Sequence, residues 1–119
     1  MSGAIGDALE TIEQVLQPNR PDANIVRPEA FRLRGELQTK QERLEAAAAD
    51  FRTALTLARS MGAKAWELRT ASSLARLLDK QGRRDEARTM LAEIYTWFTE
   101  GFDTADLKEA KALLAELSR

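Results

Sequence analysis

An all-α fold, a short superhelix of about six stacked helices, is predicted by three observations on this 119-residue chain. The first is a spacing, Ala-x-x-x-apolar-x-x-apolar, that occurs three times. It reads Ala8, Ile12, Val15, then Ala47, Phe51, Ala54, then Ala87, Leu91, Ile94. The starts lie 39 and 40 residues apart, and such a period marks stacked helical pairs, none of which buries its apolar face alone. The second is composition: 44% hydrophobic and 31% charged, with Ala, Leu, Glu and Arg prominent, residues that lose little freedom in a helix. The third is that β-branched residues are sparse after position 26 and never alternate along a run, so no sheet is expected. The length fits a single domain, residues 1–119.

The elements follow in order. A first helix, 2–17, carries Ile5, Leu9, Ile12 and Leu16 at three- and four-residue steps, which share one face. Ser2 or Gly3 is its expected cap, and Pro18 stops it. Residues 18–27 form a linker with Pro18, Pro21, two Asn and Asp22. Pro28 suits a first helical turn, so the second helix runs 28–40, with Phe31, Leu33, Gly35 and Leu37 on or near its buried side. Gly35 costs about 1 kcal/mol against alanine there, and the expected reason is a close helix approach. The third helix runs 43–60, with Ala46 to Ala49 letting a neighbour come near and Gly62 as its stop. A fourth spans 64–80 on Leu68, Ala71, Leu74, Ala75 and Leu78, and Gly82 marks the next turn. The fifth runs 84–98 on Ala87, Leu91, Ile94 and Phe98, and a short loop covers 100–103. Asp103 or Thr104 then caps a last helix to 118, using Leu107, Ala110, Leu113, Leu114 and Leu117. Hairpins 28–60 and 64–98 are thus flanked by a half repeat (1–17) and a capping helix (103–118).

Charge narrows the function. Eighteen basic and nineteen acidic side chains leave a net charge of −1, with no basic excess to release counterions from nucleic acid. Arg83, Arg84 and Arg88 make only a small basic patch. No apolar stretch approaches the ~20 residues of a membrane span, and the first seven residues lack a secretory pattern. With Cys also absent, the expected location is the cytoplasm. Neither nucleic acid nor membrane is an expected partner. Lacking His and Cys, the chain has neither the commonest general base nor the strongest nucleophile. Its carboxylates, such as Glu10, Glu13, Asp85 and Glu86, read as solvated helix faces, and no calcium-loop spacing occurs. No enzyme activity and no cofactor are expected.

The hairpins resemble tetratricopeptide repeats. Phe31 and Gly35, followed by Ala47, Phe51 and Ala54, stand at that family's places. In the second hairpin Ala71, Leu74, Ala75 and Leu78 precede Ala87, Leu91 and Ile94. Ala8, Ile12 and Val15 then read as the second half of an incomplete repeat. The chain departs from the pattern at Gln38 and Leu78, which stand for the usual tyrosine, and at Arg59 and Thr99, which stand for the closing proline. The period of about 40 also exceeds the family's 34. The segment Tyr95–Ala105, YTWFTEGFDTA, carries a narrower resemblance, to the C-terminal helical-repeat region of large bacterial regulators that join a nucleotide cyclase or DNA-binding domain to a signalling ATPase. No phosphate loop is present, so that resemblance implies an interaction role in bacterial signalling rather than catalysis.

Resemblance to the repeat family implies a concave face lined by the first helix of each pair. Mapped by position, it carries Arg32, Glu36, Thr39 and Lys40 from one hairpin and Arg69, Ser72, Arg76, Asp79 and Lys80 from the other. Arg32, Arg69 and Arg76 together suit a carboxylate, which guanidinium groups grip with two hydrogen bonds. The partner expected on that reading is an acidic protein or peptide. The alternative is a solvated face whose charges pair with one another. Four aromatics, Tyr95, Trp97, Phe98 and Phe102, cluster within eight residues. They either fasten the last helix or present Tyr95 or Trp97 to a partner, since side chains two apart on a helix face different ways. Trp66 reads as packing between hairpins. The half repeat leaves an apolar side uncovered, which a second copy would cover. A small-ligand sensor, with an apolar pocket between the hairpins, is the competing function.

Overall fold

The computed structural model describes residues 3–16, 27–96 and 105–118. Six helices follow one another: α1 (Gly3–Val15), α2 (Arg27–Lys40), α3 (Leu44–Met61), α4 (Lys64–Lys80), α5 (Arg84–Tyr95) and α6 (Ala105–Leu117). Among the described residues there is no strand. The fold is all-α and tetratricopeptide-like, as the repeated spacing predicts. α5 ends at Tyr95, and the expected continuation through Trp97 and Phe98 lies outside the described residues. So do the expected caps Ser2, Asp103 and Thr104, the loop at 100–103, and all of the 18–27 linker but Arg27, which opens α2. No described helix is long and apolar enough to cross a membrane.

The repeated spacing builds the core. Ala47, Phe51 and Ala54 of α3 and Ala87 and Leu91 of α5 are all 0% exposed. α4 is the central helix, packed by α2, α3, α5 and α6. Ten of its residues are buried, among them Leu68, Ala71, Leu74, Ala75 and Leu78. α6 adds Leu107, Ala110, Leu113 and Leu117 to the same cluster.

Two readings of α2 need correction. Leu33 is exposed, while Phe31 and Leu37 are only half-buried. What α2 buries is Pro28, Ala30, Gly35 and Gln38. Apolar burial alone therefore does not hold it, and two other devices do. First, Gly35 lies directly on the Phe51 ring: a Cβ added there would sit 2.6 Å from Phe51 Cε1. This is the close approach that a helix-interior glycine predicts. Second, Arg34 reaches across to α3 and donates twice to the buried Asp50 carboxylate, at 2.7 and 2.9 Å. Gln38, with its amide nitrogen turned inward, donates to Asp50 Oδ2 at 2.8 Å and to the Ala46 carbonyl at 3.2 Å. The Arg34 guanidinium also lies 5.2 Å from the Phe31 ring centroid, within cation–π range.

The two hairpin turns are one structure repeated. Lys40-Gln41-Glu42-Arg43 recurs 40 residues later as Lys80-Gln81-Gly82-Arg83. In each, the second residue after the helix takes a left-handed conformation, and the next N–H returns to a carbonyl five residues back. Arg43 N–H donates to Gln38 O at 2.9 Å and Arg83 N–H to Leu78 O at 2.8 Å. That is the bonding pattern by which glycine commonly ends helices. The second turn has Gly82 at φ 79, but the first places Glu42 at φ 61. A non-glycine residue there costs about 1 kcal/mol.

Replacing Gly35 with alanine should destabilise the chain by about 1–2 kcal/mol, because overpacking against Phe51 outweighs the better helix propensity. Chemical denaturation measures this, and adding Phe51→Leu should return part of the loss. Conversely, Glu42→Gly should stabilise by about 0.5 kcal/mol, after subtracting a weak exposed pair. That pair is Lys80 Nζ to Glu42 at 3.3 Å. In a thermal melt the gain corresponds to roughly 2 °C.

Candidate interaction surface

α2, α4 and α6, the first helices of successive repeats, lie side by side. Their shared face is a chain of ion pairs. Arg32 clasps Glu29 one turn back, with Nε and Nη2 donating at 2.9 and 2.8 Å. Its Nη1 donates to Ser73 Oγ on α4 at 3.4 Å and lies 3.7 Å from Glu36. Arg69 of α4 reaches both ways: Nη1 to Glu29 Oε2 at 3.4 Å, Nε and Nη2 to Asp106 of α6 at 3.3 and 3.1 Å. Farther along, Arg76 Nη2 meets Glu109 Oε1 at 2.5 Å. Exposure grades along the face. The Arg32 side chain is 14% exposed, Arg69 37% and Arg76 42%.

Electrostatics bind this chain together. Burial would raise the Glu29 carboxyl, but the hydrogen bond and charge of Arg32, reinforced by Arg69, outweigh it and hold the group below its ordinary 4.5. The folded chain therefore keeps Glu29 ionised more readily than the unfolded chain does.

The other residues assigned to this face divide. Glu36 is half-buried beside Arg32, and Lys40 is exposed at the end of α2. Thr39 donates to the Gly35 carbonyl at 2.8 Å. Ser72 is 2% exposed and lies beneath the face rather than on it, because its position turns inward toward the core. Asp79 holds Arg84 at 3.0 Å, and Lys80 holds Glu42. The small basic patch is likewise paired: Arg83 with Glu86, Arg84 with Asp79, Arg88 with Asp85. Tyr95 is half-buried against the core, while Trp97 lies outside the described residues.

Residue-by-residue reading missed the acidic half of the face: Glu29, Asp106 and Glu109. The repeat period carried the signal. Glu29, Arg69 and Glu109 are spaced by 40, as are Glu36, Arg76 and Glu116. Equivalent positions on adjacent helices thus alternate in sign.

Elsewhere, a cleft of about 640 Å³ runs between α5 and α6, lined by Arg88, Thr89, Ala92, Glu93, Thr96, Leu114 and Ser118. A smaller one, about 280 Å³, lies at Ala63–Trp66, with Trp66 half-buried at its edge. Among the described residues no three potential metal ligands cluster.

This is the architecture of a helical-repeat scaffold. The family model for the tetratricopeptide repeat matches residues 27–99, more than half of the chain. The protein therefore belongs to the tetratricopeptide-repeat family, whose members are generally non-catalytic and mediate protein–protein interaction. No curated protein and no solved structure matches the chain. Two departures from the repeat pattern acquire physical roles. Gln38, standing for tyrosine, joins the Arg34–Asp50 pair. Arg59, standing for proline, donates at 2.8 Å to Glu67, a carboxylate 0% exposed at the start of α4.

The Glu29 shift sets a pH dependence. Its folded value lies below the unfolded one, so its contribution is fully present above about pH 4.5 and is lost as pH falls through the lower folded value. Acid titration of thermal stability should show this loss, and Glu29→Gln should flatten that part of the curve.

Proposed function

We propose that this chain is a non-catalytic scaffold in bacterial signalling, engaging an acidic protein or peptide on the α2–α4–α6 face. The observation that carries this reading is the gradation of the ion-pair chain. Arg32 is tied down at the sheltered end, whereas Arg76 is half in solvent and held by Glu109, whose side chain is 55% exposed. An acidic partner exchanges its carboxylate for that of Glu109 at Arg76, and for that of Asp106 at Arg69. At Arg76 such exchange costs little, because its pair with Glu109 is exposed and exposed pairs are worth about 0–1 kcal/mol. Glu36, Lys40 and Lys80 border the same face and tune which acidic sequence fits. The resemblance of Tyr95–Ala105 to the tail of cyclase and ATPase regulators supports the signalling context and a cytoplasmic setting. Tyr95 or Trp97 supplies an aromatic part of the contact.

A scaffold is favoured over a small-ligand sensor by the packing of the core. Phe51, Leu68 and Leu74 are all 0% exposed within one continuous cluster, and the two clefts described lie outside it. Self-association through the half repeat of α1 belongs to the same reading.

A fluorescent array of acidic peptides provides the test. Binding should weaken about tenfold in Arg76→Ala, a loss of roughly 1.4 kcal/mol, and should weaken with salt. Glu109→Gln, which frees Arg76, should tighten it. Affinity unchanged in both variants rules out this face as the site.

A further inference from the structure

The α6 edge of the charged face shows which acid spacing the α4 cations accept. Arg69 and Arg76 stand seven residues apart on one side of α4, about 10 Å along the helix axis. Asp106 and Glu109, the carboxylates that meet them, are three residues apart on α6, about 4.5 Å along its axis. The two guanidinium groups therefore lean toward each other, and an acid pair spaced by one helical turn satisfies both.

Lys80 continues the α4 stripe one turn beyond Arg76. α6 does not answer it with an acid. Four residues after Glu109 the same stripe of α6 reaches Leu113, which is buried in the core cluster. Lys80 turns instead to Glu42 at the neighbouring hairpin turn, 3.3 Å away.

The stripe is held unevenly. Arg69 gives Nε and Nη2 to Asp106 and Nη1 to Glu29. Arg76 and Lys80 are exposed, and each is paired with an acid more exposed than itself. Two other acids near this end are committed elsewhere. Glu36 lies 3.7 Å from Arg32, and Arg84 is held by Asp79 and feels the charge of Glu116. The exchangeable end of the stripe is thus Arg76 and Lys80, with Arg69 fixing its register.

We infer that the partner on this face is an acidic α-helix with carboxylates at i, i+3 and i+7, the first two taking the places of Asp106 and Glu109 and the third meeting Lys80. This rests on the reading of the α2–α4–α6 face as the binding surface, and it adds the partner's form and spacing. A helix gathers those three positions on one side, whereas an extended strand turns i+3 and i+7 to the face opposite i. The third acid is the partner's advantage over α6, which offers two. Displaced Glu109 and Glu42 return to solvent, where both already lie exposed.

Fluorescence anisotropy with helix-stapled peptides tests this. One peptide carries acids at i, i+3 and i+7, and a second of the same composition carries them at i, i+2 and i+5, spread around the helix. A third is an unstapled, proline-broken copy of the first. The first should bind about fivefold tighter than the others, the upper worth of one exposed pair. Lys80→Ala, with folding checked by circular dichroism, should weaken the first peptide but not a copy lacking the i+7 acid. Equal loss in both overturns the Lys80 contact. Equal binding of all three peptides, still weakened by Arg76→Ala, keeps the face as the binding surface and overturns the helical spacing. Binding of none, or binding indifferent to Arg76→Ala, overturns the reading of the face as well.

Discussion

The contact of Gly35 with the Phe51 ring is the constraint on which the first hairpin depends. α2 is a polar helix with few large side chains to bury, so it gains little from hydrophobic transfer. Removing the side chain at Gly35 lets its backbone settle on a fully buried aromatic ring. That short separation brings Arg34 within reach of Asp50 and Gln38 within reach of the same carboxylate. It also sets α2 beside α4, where Glu29 meets Arg69. The charged face is a consequence of a packing contact about two turns away.

The arginines show how a solenoid uses charge. In a repeat stack, equivalent positions on neighbouring first helices come side by side. Like charges at one register would repel along the whole face, whereas alternating signs attract. Glu29, Arg69 and Glu109 alternate in this way, and Arg69 links α2 to α6 through Glu29 and Asp106. Such pairs add little stability each. Their effect is to set how the repeats sit on one another.

The ends of the stack differ in kind. α6 buries Leu107, Ala110, Leu113 and Leu117 at the places where α4 buries Glu67, Thr70, Ser73 and Leu77, and Lys108 and Lys111 of α6 are exposed. α1 repeats the pattern of a second helix while its key side chains stay half-buried.

The fold class, the helix order and the positions of α2 to α5 within a few residues were legible in the sequence. Periodicity reports which side chains share a face, and the recurrence of Ala47, Phe51 and Ala54 as Ala87, Leu91 and Ile94 reports a stack. The turn at Glu42 was not legible, because a left-handed glutamate carries no compositional mark and is held there only by the hydrogen bonds around it. The state of the arginines was also hidden. A guanidinium in sequence is a free cation, and whether it faces solvent or a carboxylate depends on which helices pack side by side. Sequence by itself determined the repeat, since burial pattern is written locally in the order of residues. Only the tertiary structure decided that Arg69 and Arg76 are already paired and that Ser72 is covered, because the carboxylates that pair with these arginines lie 33 to 40 positions away on other helices.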